Sequence, residues 1–227
     1  MSERYIRFQD FIYGDVKRAI QMNKIYDNVK SNVIDPDLFD LSFCSYSKKE
    51  SVQRALIDED FKKVFIEIDE HYRFLFFRNN LMQFMMYDVL TDVFYEWYLS
   101  RPKYSYSMDV LIIKYILEHV DRDKLIYKSD SHSYKFPLTV YRGVIGRKDL
   151  RDYVSHGYSW TADYDVAIKY SWPTLWPTHR DANCFVYKTV INEDSVYLYT
   201  NHKDEKEFVC KVRYDAIEIV HDFSPIL

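Results

Sequence analysis

Apolar residues recur at helical spacing through about the first 130 residues, and the pattern changes to a two-residue alternation from about residue 135 onward. Ser51 is placed to cap a helix carrying Val52, Ala55 and Leu56. The next run sets Val64, Phe65, Ile68, Tyr72, Leu75 and Phe76 on one helical stripe, which is core spacing. A third helix is predicted over about 81–99, stopped by Pro102. A fourth starts at Ser107 as N-cap, with Asp109 in its first turn and Val110, Leu111 and Tyr115 facing inward. Residues 8–33 also read as helical. The stretch from Lys128 to Tyr134 is polar and turn-rich and marks a linker. Beyond it, 138–144, 184–191, 195–199, 205–212 and 216–222 carry the β-branched and aromatic enrichment of strands. One helix interrupts them over about 163–171, with Thr161 or Asp163 as N-cap, Val166, Ala167 and Tyr170 as its packed side, and Pro173 as its stop. The expected architecture is α+β: a helical N-terminal lobe over 1–130 and a mostly antiparallel β region over 135–227. There is no internal repeat and no low-complexity tract.

Composition narrows the class without naming a function. A chain of 227 residues, 48% hydrophobic and 18% aromatic, is long enough and apolar enough to fold around a sizeable core. Its formal net charge of -4 gives no overall electrostatic footprint for nucleic acid. Cys44, Cys184 and Cys210 are widely spaced and lack the spacing of metal ligands, so they read as reduced core thiols of a cytoplasmic protein. The first residues carry charges where a secretory leader needs an apolar core. The most apolar windows, 81–90 and 110–117, are too short to span a bilayer, so no membrane association is expected.

Candidate chemistry concentrates in the β region. Read as one strand, Lys203 to Val212 puts Glu205, Glu207 and Val209 on one face and Lys206, Phe208 and Cys210 on the other. Two carboxylates two residues apart stand roughly 6.6 Å from each other and repel by roughly 2.5 kcal/mol at an effective dielectric of 20. Either solvent screens that repulsion, or the pair awaits a cation. Arg142 shares a face with Leu138, Val140 and Val144, so a guanidinium rises from apolar surroundings and needs an anion. A salt bridge within the chain and a bidentate grip on phosphate both answer that need. Glycine is scarce, with four in the chain, yet Gly143, Gly146 and Gly157 cluster around this strand. Ser159 and Thr161 point together, either to orient a carboxylate or sugar hydroxyl or, for Thr161, to cap the following helix; Trp160 points away.

In order, these stretches are Val140-Tyr141-Arg142-Gly143, then Ser159-Trp160-Thr161-Ala162-Asp163, then Glu205-Lys206-Glu207-Phe208-Val209. An aromatic-Arg-Gly strand, a Ser-x-Thr leading into an Asp-containing helix, and a late Glu-x-Glu resemble the arginine-serine-glutamate class of ADP-ribosyltransferases. The Ser-Trp-Thr form is similar to a set of bacterial and phage members. The separations, 17 residues from Arg142 to Ser159 and 48 from Ser159 to Glu207, suit a compact version of that fold. The resemblance covers about 135–222 and implies a two-sheet, ADP-ribosyltransferase-like β core. It also implies NAD as co-substrate, bound without a Rossmann motif and without a metal.

Carried over residue by residue, the resemblance makes Glu207 the carboxylate bonded to the 2′-hydroxyl of the nicotinamide ribose. Glu205 becomes the residue that orients and helps deprotonate the acceptor. Arg142, next to Tyr141, would hold NAD phosphate, the Gly143 backbone would meet the nicotinamide amide, and Ser159 would position Glu207 with support from Thr161. Tyr158, Tyr170, Trp172 and Trp176 are the candidates for an aromatic platform under nicotinamide. A glutamate at the first position of the pair goes with arginine as the protein target in this class. The alternatives are modification of RNA or DNA, plain NAD hydrolysis as a toxin or phage-defence activity, and a non-catalytic binding protein on the same fold. An inhibitor or antitoxin protein is a further expected partner.

Overall fold

A computed structural model describes residues 33–101, 110–129, 134–146, 154–155, 157–171, 183–201 and 204–223. The expected helix over 8–33 apart from Val33, the cap at Ser107, and the platform candidates Trp172 and Trp176 lie outside these residues. The chain divides into two compact units, Met1–Val120 and Asp121–Leu227.

The first unit is helical. Its helices are α1 (Lys49–Ile57), α2 (Phe61–Glu67), α3 (Arg73–Asn79), α4 (Leu81–Met86), α5 (Leu90–Ser100) and α6 (Val110–Leu117). The apolar stripe from Val64 to Phe76 was expected to lie on one helix, and the backbone breaks it in two. Ile68 ends α2 in an extended conformation, and the Asp69 carboxylate accepts from the His71 N–H, forming a local turn that competes with helix. Ile68 stays buried all the same, so the stripe marks the core even where it does not mark a continuous helix. The expected helix over 81–99 is likewise two pieces, separated at Asp88, whose φ of 57° is left-handed. Ser51 lies inside α1 rather than at its cap, and its hydroxyl donates to Glu67 Oε1 at 3.1 Å. The core these helices share is aromatic: Phe77 stacks on Trp97 at 4.8 Å between ring centroids and 14° between planes, with Phe84 and Phe94 beside it.

The second unit carries α7 (Arg122–Lys128), α8 (Tyr164–Ser171) and six strands: β1 (Leu138–Gly146), β2 (Ser159–Thr161), β3 (Asn183–Ile191), β4 (Val196–Thr200), β5 (Glu207–Cys210) and β6 (Glu218–Phe223). The helix α7 lies before the polar stretch taken as a linker yet belongs to this unit. Arg122 ties it there by donating to the carbonyls of Val196 at 2.7 Å and Glu193 at 2.5 Å. The fold is α+β. The strands form one sheet in the order β4-β5-β2-β1-β3-β6, and every neighbouring pair is antiparallel. The two-sheet arrangement implied by the resemblance is not what these six described strands display.

Alternation assigns the two faces of the sheet. Val140, Val144, Trp160, Phe185, Tyr187, Phe208 and Cys210 are buried together on one face. On the other lies α8, packed so closely over β1 that a side chain at Gly143 would put its Cβ 1.9 Å from the Ala167 carbonyl oxygen. Glycine at 143 is therefore required by the helix–sheet approach itself.

Candidate functional site

Register brings the polar candidates into line. Tyr141 on β1 stands opposite Thr161 on β2, Thr161 opposite Glu207 on β5, and Glu207 opposite Thr200 on β4. Directly paired residues project to the same side, so this row, with Ser159 two residues before Thr161, occupies the face under α8. Glu207 is the first residue of its strand and only 7% exposed. The Ser159 hydroxyl donates to its Oε1. A carboxylate is not taken out of water without such a partner, because an unpaired buried charge is costly. Sequence reasoning paired Ser159 with Glu207 across 48 residues, and the hydrogen bond joins those two groups.

Glu205 sits differently from the expectation. It does not belong to β5, which begins two residues later, and Lys206 between the two glutamates has a left-handed φ of 44°. The alternation that was to put Glu205 and Glu207 on one face does not run through that residue. The link between the glutamates is a turn held against the corner where β2 leads into α8. Thr161 Oγ1 donates to the Glu205 carbonyl at 2.6 Å, and the Ala162 N–H donates to the Lys206 carbonyl at 3.0 Å. Lys206 Nζ pairs with Asp163 Oδ2 at 3.0 Å. That hydrogen bond from Lys206 holds the Asp163 carboxyl below its ordinary range and, reciprocally, raises the ammonium of Lys206. The turn keeps a non-glycine residue in a left-handed conformation because these contacts over-determine it.

Thr161 was left between capping and orienting. It does neither: its hydroxyl accepts from the N–H of Asp163 at 3.0 Å, one residue short of the helix, and donates to the main-chain carbonyl of Glu205 rather than to a carboxylate. The N-cap of α8 is Asp163, whose Oδ1 accepts from the N–H groups of Asp165 at 3.0 Å and Val166 at 3.4 Å.

Arg142 lies by register on the apolar face with Trp160 and Phe208, opposite to the side on which Ser159, Thr161 and Glu207 project. It nevertheless meets the site at the start of β2. Its Nη1 donates to the backbone carbonyl of Ser159 at 2.7 Å, and its guanidinium packs so tightly on Gly157 that a Cβ there would fall 2.4 Å from Cζ. Ser159 thus joins the two, with its carbonyl on Arg142 and its hydroxyl on Glu207. Cys210, fully buried near both, feels them electrostatically: burial pushes its thiol well up, Arg142 pulls it down and Glu207 raises it further. Trp160 is buried, with its ring N–H donating to the Gly157 carbonyl at 3.0 Å, so it packs the core.

Tyr170, a candidate aromatic platform on the packed side of α8, has a further contact. Its hydroxyl donates to Glu205 Oε1 at 2.5 Å. No spacing rule would pair a helical tyrosine with a loop glutamate 35 residues later. The other aromatic contact at the site is Tyr141, whose ring meets Tyr164 edge-on at 5.2 Å, while the Tyr164 hydroxyl lies 2.8 Å from His221 Nδ1.

All three cysteines are buried, and none of them forms a disulfide. Among the described residues, no group of three or more His, Cys, Asp or Glu side chains is arranged to hold a metal ion. Among the same residues, no helix is long and apolar enough to cross a membrane. Comparison of the chain with protein-family models, with curated proteins and with solved structures returns no match.

Proposed function

We propose that this chain is a mono-ADP-ribosyltransferase that cleaves the nicotinamide glycosidic bond of NAD and transfers ADP-ribose to a macromolecular acceptor, with a protein arginine favoured. On this reading the second unit is the catalytic core of an ADP-ribosyltransferase-like fold. The observation that carries it is the Ser159–Glu207 hydrogen bond on a carboxylate 7% exposed, with Arg142 fixed to the same serine. These are the three residues whose order in the sequence resembles the family.

The chemistry follows from charge. As the bond between the ribose C1′ and the pyridinium nitrogen lengthens, its electron pair leaves with nicotinamide and positive charge grows on the ribose. A carboxylate already oriented by Ser159 stabilises charge that appears only at that moment, which lowers the barrier without tightening the ground state. Removing one preorganised electrostatic group of this kind costs about 10²–10³ in rate. Arg142, whose Nη1 donates to the Ser159 carbonyl, would hold that serine in place from the opposite face of the sheet, a different part from the grip on phosphate that the resemblance implies. Glu205 would take the proton from the attacking acceptor.

NAD labelled in its adenylate half gives a direct test. Wild-type protein incubated with a cell lysate should yield a labelled macromolecule, and Glu207→Gln should lose both the label and nicotinamide release. Nicotinamide release at the wild-type rate in that variant would overturn the assignment. Protease and nuclease digestion of the labelled material separates a protein target from RNA or DNA.

A further inference from the structure

Glu205 is held at both its backbone and its side chain by parts of the chain far from it in sequence. Its carbonyl accepts from Thr161 at 2.6 Å, and the next residue is pinned through its carbonyl to Ala162 and through its ammonium to Asp163. These contacts fix where the residue starts. Its carboxylate is then taken by the Tyr170 hydroxyl at 2.5 Å, from the last turn of α8. A glutamate in a solvated loop explores many rotamers, whereas a phenol bonded to one carboxylate oxygen sets the direction of the whole group. Glu207 needs none of this, because it is held separately by Ser159. The two glutamates are therefore aimed by different elements, Glu207 by β2 and Glu205 by α8.

We infer that Tyr170 is a positioning residue that aims Glu205 at a guanidinium acceptor, and so governs how ADP-ribose is divided between that acceptor and water. The inference rests on the NAD cleavage proposed above and adds a control over its second half. In the transfer, the C1′–nitrogen bond to nicotinamide breaks and nicotinamide leaves neutral with the electron pair. A guanidinium nitrogen gives up one proton to Glu205, which passes it to solvent, and that nitrogen forms the new bond to C1′. In the competing hydrolysis a water oxygen forms the bond and its proton goes to solvent. Cleavage is common to both routes, while correct aim of Glu205 matters to the first. Geometry of this kind is steep in its effect, since a misplacement of about 1 Å can cost on the order of 10²-fold in rate.

Tyr170→Phe removes the donor and keeps the ring. The full chain and this variant are each incubated with adenylate-labelled NAD and an arginine-containing peptide, and released nicotinamide, free ADP-ribose and labelled peptide are measured together. The expected result is that the fraction of cleaved NAD recovered on the peptide falls about tenfold, with free ADP-ribose rising in its place. The loss should appear in the turnover for transfer, with the KM for the peptide changed by less than about twofold. An unchanged fraction overturns the inference, even if total cleavage drops. So does a wild-type chain that cleaves NAD but labels no peptide, and in that case the cleavage itself still stands. A wild-type chain that releases no nicotinamide removes the foundation, and the nicotinamide measurement tells that failure apart from the others.

Discussion

Among the described residues, the fully buried polar side chain of the helical unit is Asn80, and the buried carboxylate of the sheet unit is Glu207. Asn80 serves the backbone. Its amide group donates to the Phe76 and Asp40 carbonyls at 2.9 and 3.2 Å and accepts from the Asp40 N–H at 2.6 Å, closing the joint between α3 and α4. Glu207 has a side-chain partner instead: its carboxylate is met by the Ser159 hydroxyl. A fold can bury an amide to satisfy its own main chain, but a carboxylate brings a desolvation cost that apolar packing would avoid. The contrast teaches that Asn80 is accounted for by the main chain it satisfies, whereas Glu207 sets a buried carboxylate against a hydroxyl from a neighbouring strand.

The contrast is challenged most strongly in the aromatic core. Phe77 is fully buried against Trp97, Phe84 and Phe94. Phe77→Ala should lower stability by about 3–5 kcal/mol, since it removes the ring and leaves a cavity that rigid aromatic neighbours close poorly. Denaturant unfolding followed by circular dichroism measures it, and a loss below about 1 kcal/mol would mean that packing is not what holds the helical unit.

The next effect belongs to the sheet unit. In Gly143→Ala the new methyl would meet backbone atoms, the Ala167 carbonyl oxygen at 1.9 Å and the Ser171 nitrogen at 2.7 Å. Backbone does not rotate away as a side-chain tip does, so α8 must shift, at about 1–3 kcal/mol. Because α8 carries Tyr170, the same shift should disturb the hold on Glu205. A variant as stable as wild type would show that α8 rides loosely on β1.

Much of this fold was legible in the sequence, and the exceptions share a cause. The alternation of β1 and β3 was visible because each strand is nine residues long and has one buried face. The Ser159–Glu207 contact followed from resemblance to a family, and the register of β2 and β5 then brings it about. What escaped was set by single residues in unusual backbone states. Aspartate tolerates a left-handed φ but adopts it only occasionally, and lysine gives no such signal, yet Asp88 splits an apparent helix and Lys206 takes Glu205 off the strand. The Tyr170–Glu205 hydrogen bond escaped for another reason: it needs the path of α8 over the sheet, which no local pattern encodes.

A smaller effect is expected where α8 begins. Asp163 caps that helix and pairs with Lys206, so Asp163→Ala should cost about 1 kcal/mol through the lost cap. The carboxyl is held below its ordinary value near 3.8, first by the hydrogen bond from Lys206. A depressed folded-state pKa contributes stability that is present above the unfolded value and lost as pH falls through the folded one. The gap in melting temperature between wild type and variant should therefore be full at neutral pH and narrow below about pH 4. A gap that is constant down to about pH 2 would mean that the ionised form of Asp163 contributes nothing.

The smallest stability change is expected at Glu207, to which the proposed chemistry gives the largest role. Glu207→Gln keeps the shape of the side chain and an oxygen to accept from Ser159, and it removes a charge from a position 7% exposed. The relief of desolvation and the loss of a charge-assisted hydrogen bond oppose each other, so unfolding free energy should change by no more than about 1 kcal/mol. The same substitution should abolish nicotinamide release. A carboxylate kept for the fold would give the reverse pair of results, a marked loss of stability with chemistry intact in whatever remains folded. Measuring both quantities on one variant thus decides whether Glu207 belongs with Asn80, as a group the fold needs, or stands apart as one retained for what it does to a bound ligand.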